Sequence, residues 1–199
     1  MQRTSWLFLV VFLFIFFSSS LLLSHWHIAP IENVLGLLSV ISYVLTLMPS
    51  LVRTLVPKSK RHPLVIGLIR YRRQVGVASF CFGSQHGLII VGQRSLNMLS
   101  VQTYYQYLHG SILLGIFLLL TLTSNDESLK WLKIAWKRLH QVTYVIPLIV
   151  LWHVVDNMNS KTWVTPIAET LTLSVIVLLT LRLGFVTLKK WGDSVEKRS

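Results

Sequence analysis

Two histidines thirteen residues apart bracket the stretch WKRLHQVTYVIPLIVLWH, residues 136–153, and place imidazole at both ends of a run that otherwise reads as membrane-spanning. A third, His86, closes the segment RYRRQVGVASFCFGSQH, thirteen residues after Arg73. A polar ring inside an apolar helix is costly, so it either bonds a neighbouring helix or carries a function. Helical rise sets the depths: thirteen residues span roughly 20 Å. His86 and His153 therefore reach one level if their helices start at the basic segments around Arg73 and Arg138, while His140 stays near the charged edge. Two neutral nitrogen donors facing each other across a gap between parallel helices can ligate a haem iron on both faces. Interhelical hydrogen bonding is the other reading of each ring. Gly83, Ser84 and Gly87 around His86 leave space for a flat, bulky group to approach the backbone.

On a straight helix a thirteen-residue step leaves His140 and His153 about 140° apart in rotation. Pro147, between them, is expected to kink or rewind the helix. The remaining histidines promise less. His25 and His27 form an H-x-H in a predicted outer loop, but two ligands fall short of a metal site. His62 lies among lysines and arginines and is expected to be solvated, and His109 falls at the outer end of the fourth predicted span.

The elements that must position these rings are apolar. Of 199 residues, 53% are hydrophobic and 13% charged, with a mean hydropathy of +0.61. Runs at 6–23, 34–52, 75–93, 108–124, 140–156 and 164–187 are each long enough for a bilayer core of about 30 Å. The expected fold is all-α: a polytopic membrane protein of about six transmembrane helices in a single domain, residues 1–199. No small-residue cleavage site follows the first run, so it is expected to be a retained helix. A single cysteine, Cys81, excludes an internal disulfide and any CxxC site. No Gly-rich nucleotide motif occurs, so no soluble flavin or nicotinamide domain is expected in these residues. Ser124, Asn125 or Asp126 can cap an amphipathic stretch after the fourth run. Trp131, Trp136 and tyrosines 104, 105 and 107 suit membrane interfaces.

The net charge of +12 is distributed as topology rather than as a nucleic-acid footprint. With the N-terminus inside, seventeen lysines and arginines fall on the inner side and only Arg94 and Lys161 outside. That bias follows the positive-inside rule and orients the chain with both termini inside. The inner clusters would sit against anionic headgroups. No nucleic-acid partner is expected.

The segments RYRRQVGVASFCFGSQH and TSNDESLKWLKIAWKRLHQVTYVIPLIVLWH resemble the ferric reductase-like transmembrane family, in particular its haem-binding subunits of methionine-sulfoxide reductase systems. The matching positions are Arg72, Arg73, Gly76 and His86, then Thr123, Ser124, Trp136, Leu139, His140, Tyr144 and His153. The resemblance covers residues 35–185 and is most specific in its second half. It implies haem b between the third and fifth spans, with His86 and His153 as the axial ligands of an outer haem. His140 would hold a second, inner haem. There the chain departs from the family, because Arg72 stands where the partner histidine is expected and a guanidinium cannot bind iron. Arg72 and Arg73 are instead expected to face haem propionates or lipid phosphates.

The implied function is electron transfer across a bacterial-type plasma membrane. The donor would be an inner flavin (FMN) or quinone species, supplied by a separate flavoprotein or the quinol pool. The acceptor would be an outer reductase partner or a ferric chelate. From the residues alone, a haem-free small transporter or assembly factor with structural histidines is the alternative. Glu169 is the only carboxylate in the body of a predicted span, since Asp156 is the last residue of the fifth, and that is fewer than transport sites usually show.

Overall fold

The computed structural model describes residues 31–97, 99–157 and 162–196. The expected first span, 6–23, and the His25/His27 pair lie outside the described residues. The described chain is helical throughout: α1 (Ile31–Leu55), a 3-10 turn (Pro57–Arg61), α2 (Pro63–Arg70), α3 (Arg72–Gln93), α4 (Val101–Gln106), α5 (Leu108–Leu122), α6 (Asp126–Leu132), α7 (Ile134–Gln141), a 3-10 turn (Val142–Tyr144), α8 (Ile146–Asn157) and α9 (Val164–Glu196). Among the described residues there is no strand.

Five of these helices close a ring: α1 packs on α3, α3 on α5, α5 on α8, α8 on α9, and α9 back on α1. Leu47, Leu51, Ile146, Val150, Val164 and Val175 fill its core. The outer surface is apolar instead of charged, with Leu88 at 70%, Trp152 at 62% and Leu183 at 63% exposure. A hydrophobic exterior around a partly polar interior is the pattern expected when lipid is the solvent.

The tightest seam, α1 against α3, has a sequence cause. Gly36, Ser39, Tyr43 and Thr46 recur at i, i+3, i+7 and i+10, and Gly76, Ser79, Gly83 and His86 repeat that spacing. Each set forms one stripe along its helix. The stripes meet antiparallel, Gly36 opposite His86, Ser39 opposite Gly83 and Thr46 opposite Gly76. Small side chains let the backbones approach, and the hydroxyls lock the register. Ser39 Oγ donates to the Ser79 carbonyl at 2.8 Å, and Ser79 Oγ to the Ser39 carbonyl at 2.9 Å.

The expected fifth span is interrupted. A 3-10 turn at Val142–Tyr144 separates α7 from α8, and Pro147 follows as the second residue of α8. A proline cannot donate to the carbonyl four residues back, here Thr143. Tyr43 supplies the missing donor, its hydroxyl bonding the Thr143 carbonyl. The break therefore lies just before Pro147, for the reason anticipated from sequence.

Among the described residues, four stretches are long and apolar enough to cross a membrane: Ile31–Leu55, Arg72–Gln93, Ile134–Asp156 and Val164–Lys189. The expected fourth span is shorter than sequence suggested. Its helix α5 has 15 residues, and the chain then turns by 94° into α6. Asn125 makes the turn by capping α6, its Oδ1 accepting from the Ser128 amide at 2.7 Å. The salt bridge from Arg73 to Asp126 holds this elbow against the start of α3. Arg53, Arg72, Lys130 and Arg138 thus share one end of the ring, the basic end. Arg94, Tyr107 and Glu32 mark the opposite end.

Candidate functional site

His86 on α3 and His153 on α8 point into the ring from helices with no extended packing on each other. Their ring centroids lie 6.1 Å apart with the planes at 89°. The equal depth expected from helical rise is what the structure shows. A metal bound by one nitrogen of each ring at about 2.0–2.1 Å would set the ring centres about 6 Å apart, since each nitrogen is about 1.1 Å from its own centre.

The second ring nitrogen of His86 explains its orientation. Nδ1 lies 2.6 Å from the carbonyl oxygen of Glu32. A carbonyl only accepts, so in the neutral ring Nδ1 carries the proton and Nε2 keeps its lone pair. This is the outer contact by which metal-binding histidines are usually aimed. Two glycines shape the rest of the cradle. A Cβ on Gly36 would stand 3.2 Å from His86 Nδ1, and one on Gly110 would stand 3.2 Å from His153 Cε1.

Between the rings lies a cavity of about 80 Å³, walled by Leu113, Leu114, Phe117, Val150, Val154 and Ala168, with Gly83 at its edge. The two imidazoles and the separation of their rings suit an iron held between them. That volume is smaller than a porphyrin, so a macrocycle fits only if the walls part. Of the small residues singled out by sequence, Gly83 lines this cavity, whereas a Cβ on Gly87 would meet nothing within 4 Å.

His140 is elsewhere, at the basic end. Its ring stacks on Trp136 with centroids 4.0 Å apart and planes at 25°. Its Nε2 lies 3.3 Å from Thr123 Oγ1. Trp136 is no free interfacial anchor, because its Nε1 donates to the Thr123 carbonyl at 2.8 Å, a terminal acceptor of α5. Trp131, by contrast, is 88% exposed and suits an interface. The expectation of Arg72 and Arg73 as an anion-binding pair divides. Arg73 is paired with Asp126, and Arg72 remains exposed with its charge near His140. His62 caps α2 through its Nδ1, an exposed structural role.

His109 belongs to the opposite end. Its ring centroid is 4.1 Å from that of Trp152, and its Nδ1 is 3.6 Å from Asp156 Oδ2, too long for a hydrogen bond. Position in the sequence identified the end but not this neighbourhood. Nor did it identify Gly36 and Gly110. The repeat spacing of the two stripes carried a signal for Gly36, and for Gly110 there was none.

No family model and no solved structure matches the chain. It is similar to proteins named protein-methionine-sulfoxide reductase heme-binding subunit MsrQ, from Brucella ovis, Brucella canis and Brucella suis. Each is 30% identical over 119 residues, covering 57% of this chain and 50% of the relative. The chain spans about half the length of the curated relatives it matches.

Proposed function

We propose that this chain is a haem-binding membrane subunit that carries electrons between the two sides of a bacterial plasma membrane, with its basic end inside. The observation that carries this reading is the pair His86 and His153, level with each other across the ring at 6.1 Å. The names of the similar proteins support it. Bound haem b supplies a one-electron carrier. His86 and His153 would hold it on both faces, leaving no iron position open to a small molecule. The Glu32 carbonyl would aim His86, and Leu113, Phe117, Val150 and Val154 give the space beside the rings apolar walls.

Electrons would enter at the basic end, from a separate flavoprotein carrying FMN or from a quinol. They would leave at the opposite end, to a reductase partner or a ferric chelate. His140 and Arg72 sit at the entry side, where a second haem would be held by His140.

The test is haem content. Protein expressed with ample haem and purified in mild detergent should give about one haem b per chain, or more, in a pyridine haemochrome assay. His86→Ala and His153→Ala should each remove the same low-spin signal, and His62→Ala should not. Well under one haem per chain in the unmodified protein overturns the proposal.

A further inference from the structure

Arg182 is a cation within the apolar part of α9. It stands eighteen residues after Val164, about 27 Å along the helix at 1.5 Å per residue, against a hydrocarbon layer about 30 Å thick. Its guanidinium is therefore level with the boundary between acyl chains and headgroup phosphates, at the basic end. Ser50 and Thr54, in the last turns of α1, share that level.

Among the described residues, the groups in contact with Arg182 are neutral or cationic. Its Nε donates to Thr54 Oγ1 at 3.4 Å. Its guanidinium carbon lies 4.8 Å from the centre of the Tyr144 ring. The Tyr144 hydroxyl neighbours Ser50 and Arg182, and the charge of Arg72 acts on the same group. Among the described residues the acid–base contacts are Arg73–Asp126 and His109–Asp156, and neither involves Arg182. A guanidinium has five N–H donors, so its bonds to Thr54 and to the Tyr144 hydroxyl still leave donors available. A half-buried arginine with hydroxyls around it, a second arginine's charge acting on the same tyrosine, and no carboxylate contact among the described residues has the composition of an oxyanion site.

We propose that Arg182, Tyr144 and Thr54 bind a phosphate oxyanion, that of a phospholipid headgroup in the leaflet at the basic end. The depth of Arg182 favours the lipid over a free anion, because phosphodiesters are concentrated at that level. A lipid held there joins the basic ends of α1 and α9 to the turn before α8. The proposal does not depend on haem binding.

The experiment is thermal unfolding of the purified full chain in detergent, read by tryptophan fluorescence. The ligands are short-chain phosphatidylglycerol, the matching uncharged diacylglycerol, and inorganic phosphate. Phosphatidylglycerol should raise Tm by several degrees and the diacylglycerol should not. Arg182→Gln should weaken the apparent affinity at least tenfold, with Arg182→Lys in between, while Lys58→Gln leaves it unchanged. If Arg182→Gln does not fold, Thr54→Val provides the readout and should weaken binding several-fold. Stabilisation by inorganic phosphate equal to that by the lipid would overturn the lipid as the source. A response to phosphatidylglycerol that is unchanged in Arg182→Gln or in Thr54→Val overturns the site.

Discussion

Tyr43 of α1 donates its hydroxyl to the carbonyl of Thr143, one hundred residues later. That carbonyl is the one Pro147 cannot use, so the bond closes the weakest point of the broken span. The same side chain is 4% exposed, and its ring lies 5.6 Å from Phe117, a wall of the cavity. One residue thus ties the helix that aims His86 to the break that frees His153 from the rotation of His140.

Tyr43→Phe should destabilise the protein by about 1–3 kcal/mol, the range for leaving a buried acceptor unpaired. Equilibrium unfolding in mixed detergent measures it. Tyr104→Phe, at an exposed position, should change stability by less than about 0.5 kcal/mol.

Gly36→Ala and Gly110→Ala should each lower haem content several-fold or broaden the low-spin spectrum. Their new methyl groups would stand 3.2 Å from His86 Nδ1 and from His153 Cε1. Gly87→Ala, where nothing lies within 4 Å, should retain wild-type absorbance. Equal loss in all three variants would mean that the cradle is not specific.

His140→Ala should take haem per chain in native membranes from two to one if His140 is a ligand, with the His86/His153 signal unchanged. Haemochrome content together with redox titration reads this. One haem before and after, at the same potential, would leave His140 as the stacking partner of Trp136.

The elbow at Asp126 should respond to acid. The Arg73 guanidinium bonded to Asp126 holds its carboxyl below the usual range. A lowered folded pKa means the contribution is complete above the ordinary carboxylate value and is lost as pH falls through the folded one. The protection factors of amides 126–132, that is, exchange rates corrected for the intrinsic pH dependence of amide exchange, should therefore be steady at neutral pH and fall below about pH 4, the ordinary aspartate value. In Asp126→Asn the exchange should be faster at neutral pH and lose that acid step.

Depth was legible in the sequence and lateral packing was not. Counting residues from Arg73 and Arg138 put His86 and His153 on one level, because helical rise is nearly invariant. Rotation about the axis is not invariant once a helix breaks, so the angle between His140 and His153 needed the turn at Val142–Tyr144. Hydropathy found α1, α3 and α9, but it overstated α5. Where α5 stops, the hydroxyls of Thr123 and Ser124 bond back to the carbonyls of Leu119 and Leu120. Arg73 read as a partner for haem propionates or lipid phosphates because its carboxylate partner, Asp126, is distant in sequence. The cradle glycines stayed hidden because a glycine in an apolar run gives no sign of which neighbour needs its missing side chain.

The ring also sets a schedule. His86 and His153 are separated by 67 residues, with α5 and the elbow between them. At a synthesis rate of about 5–20 residues per second, roughly 3–13 s pass between the addition of the two residues. During that interval α3 can already be seated on α1, with His86 held by Glu32 and its partner not yet made. The half-site belongs to the nascent chain, and the complete one only to a chain whose last two helices have entered the ring.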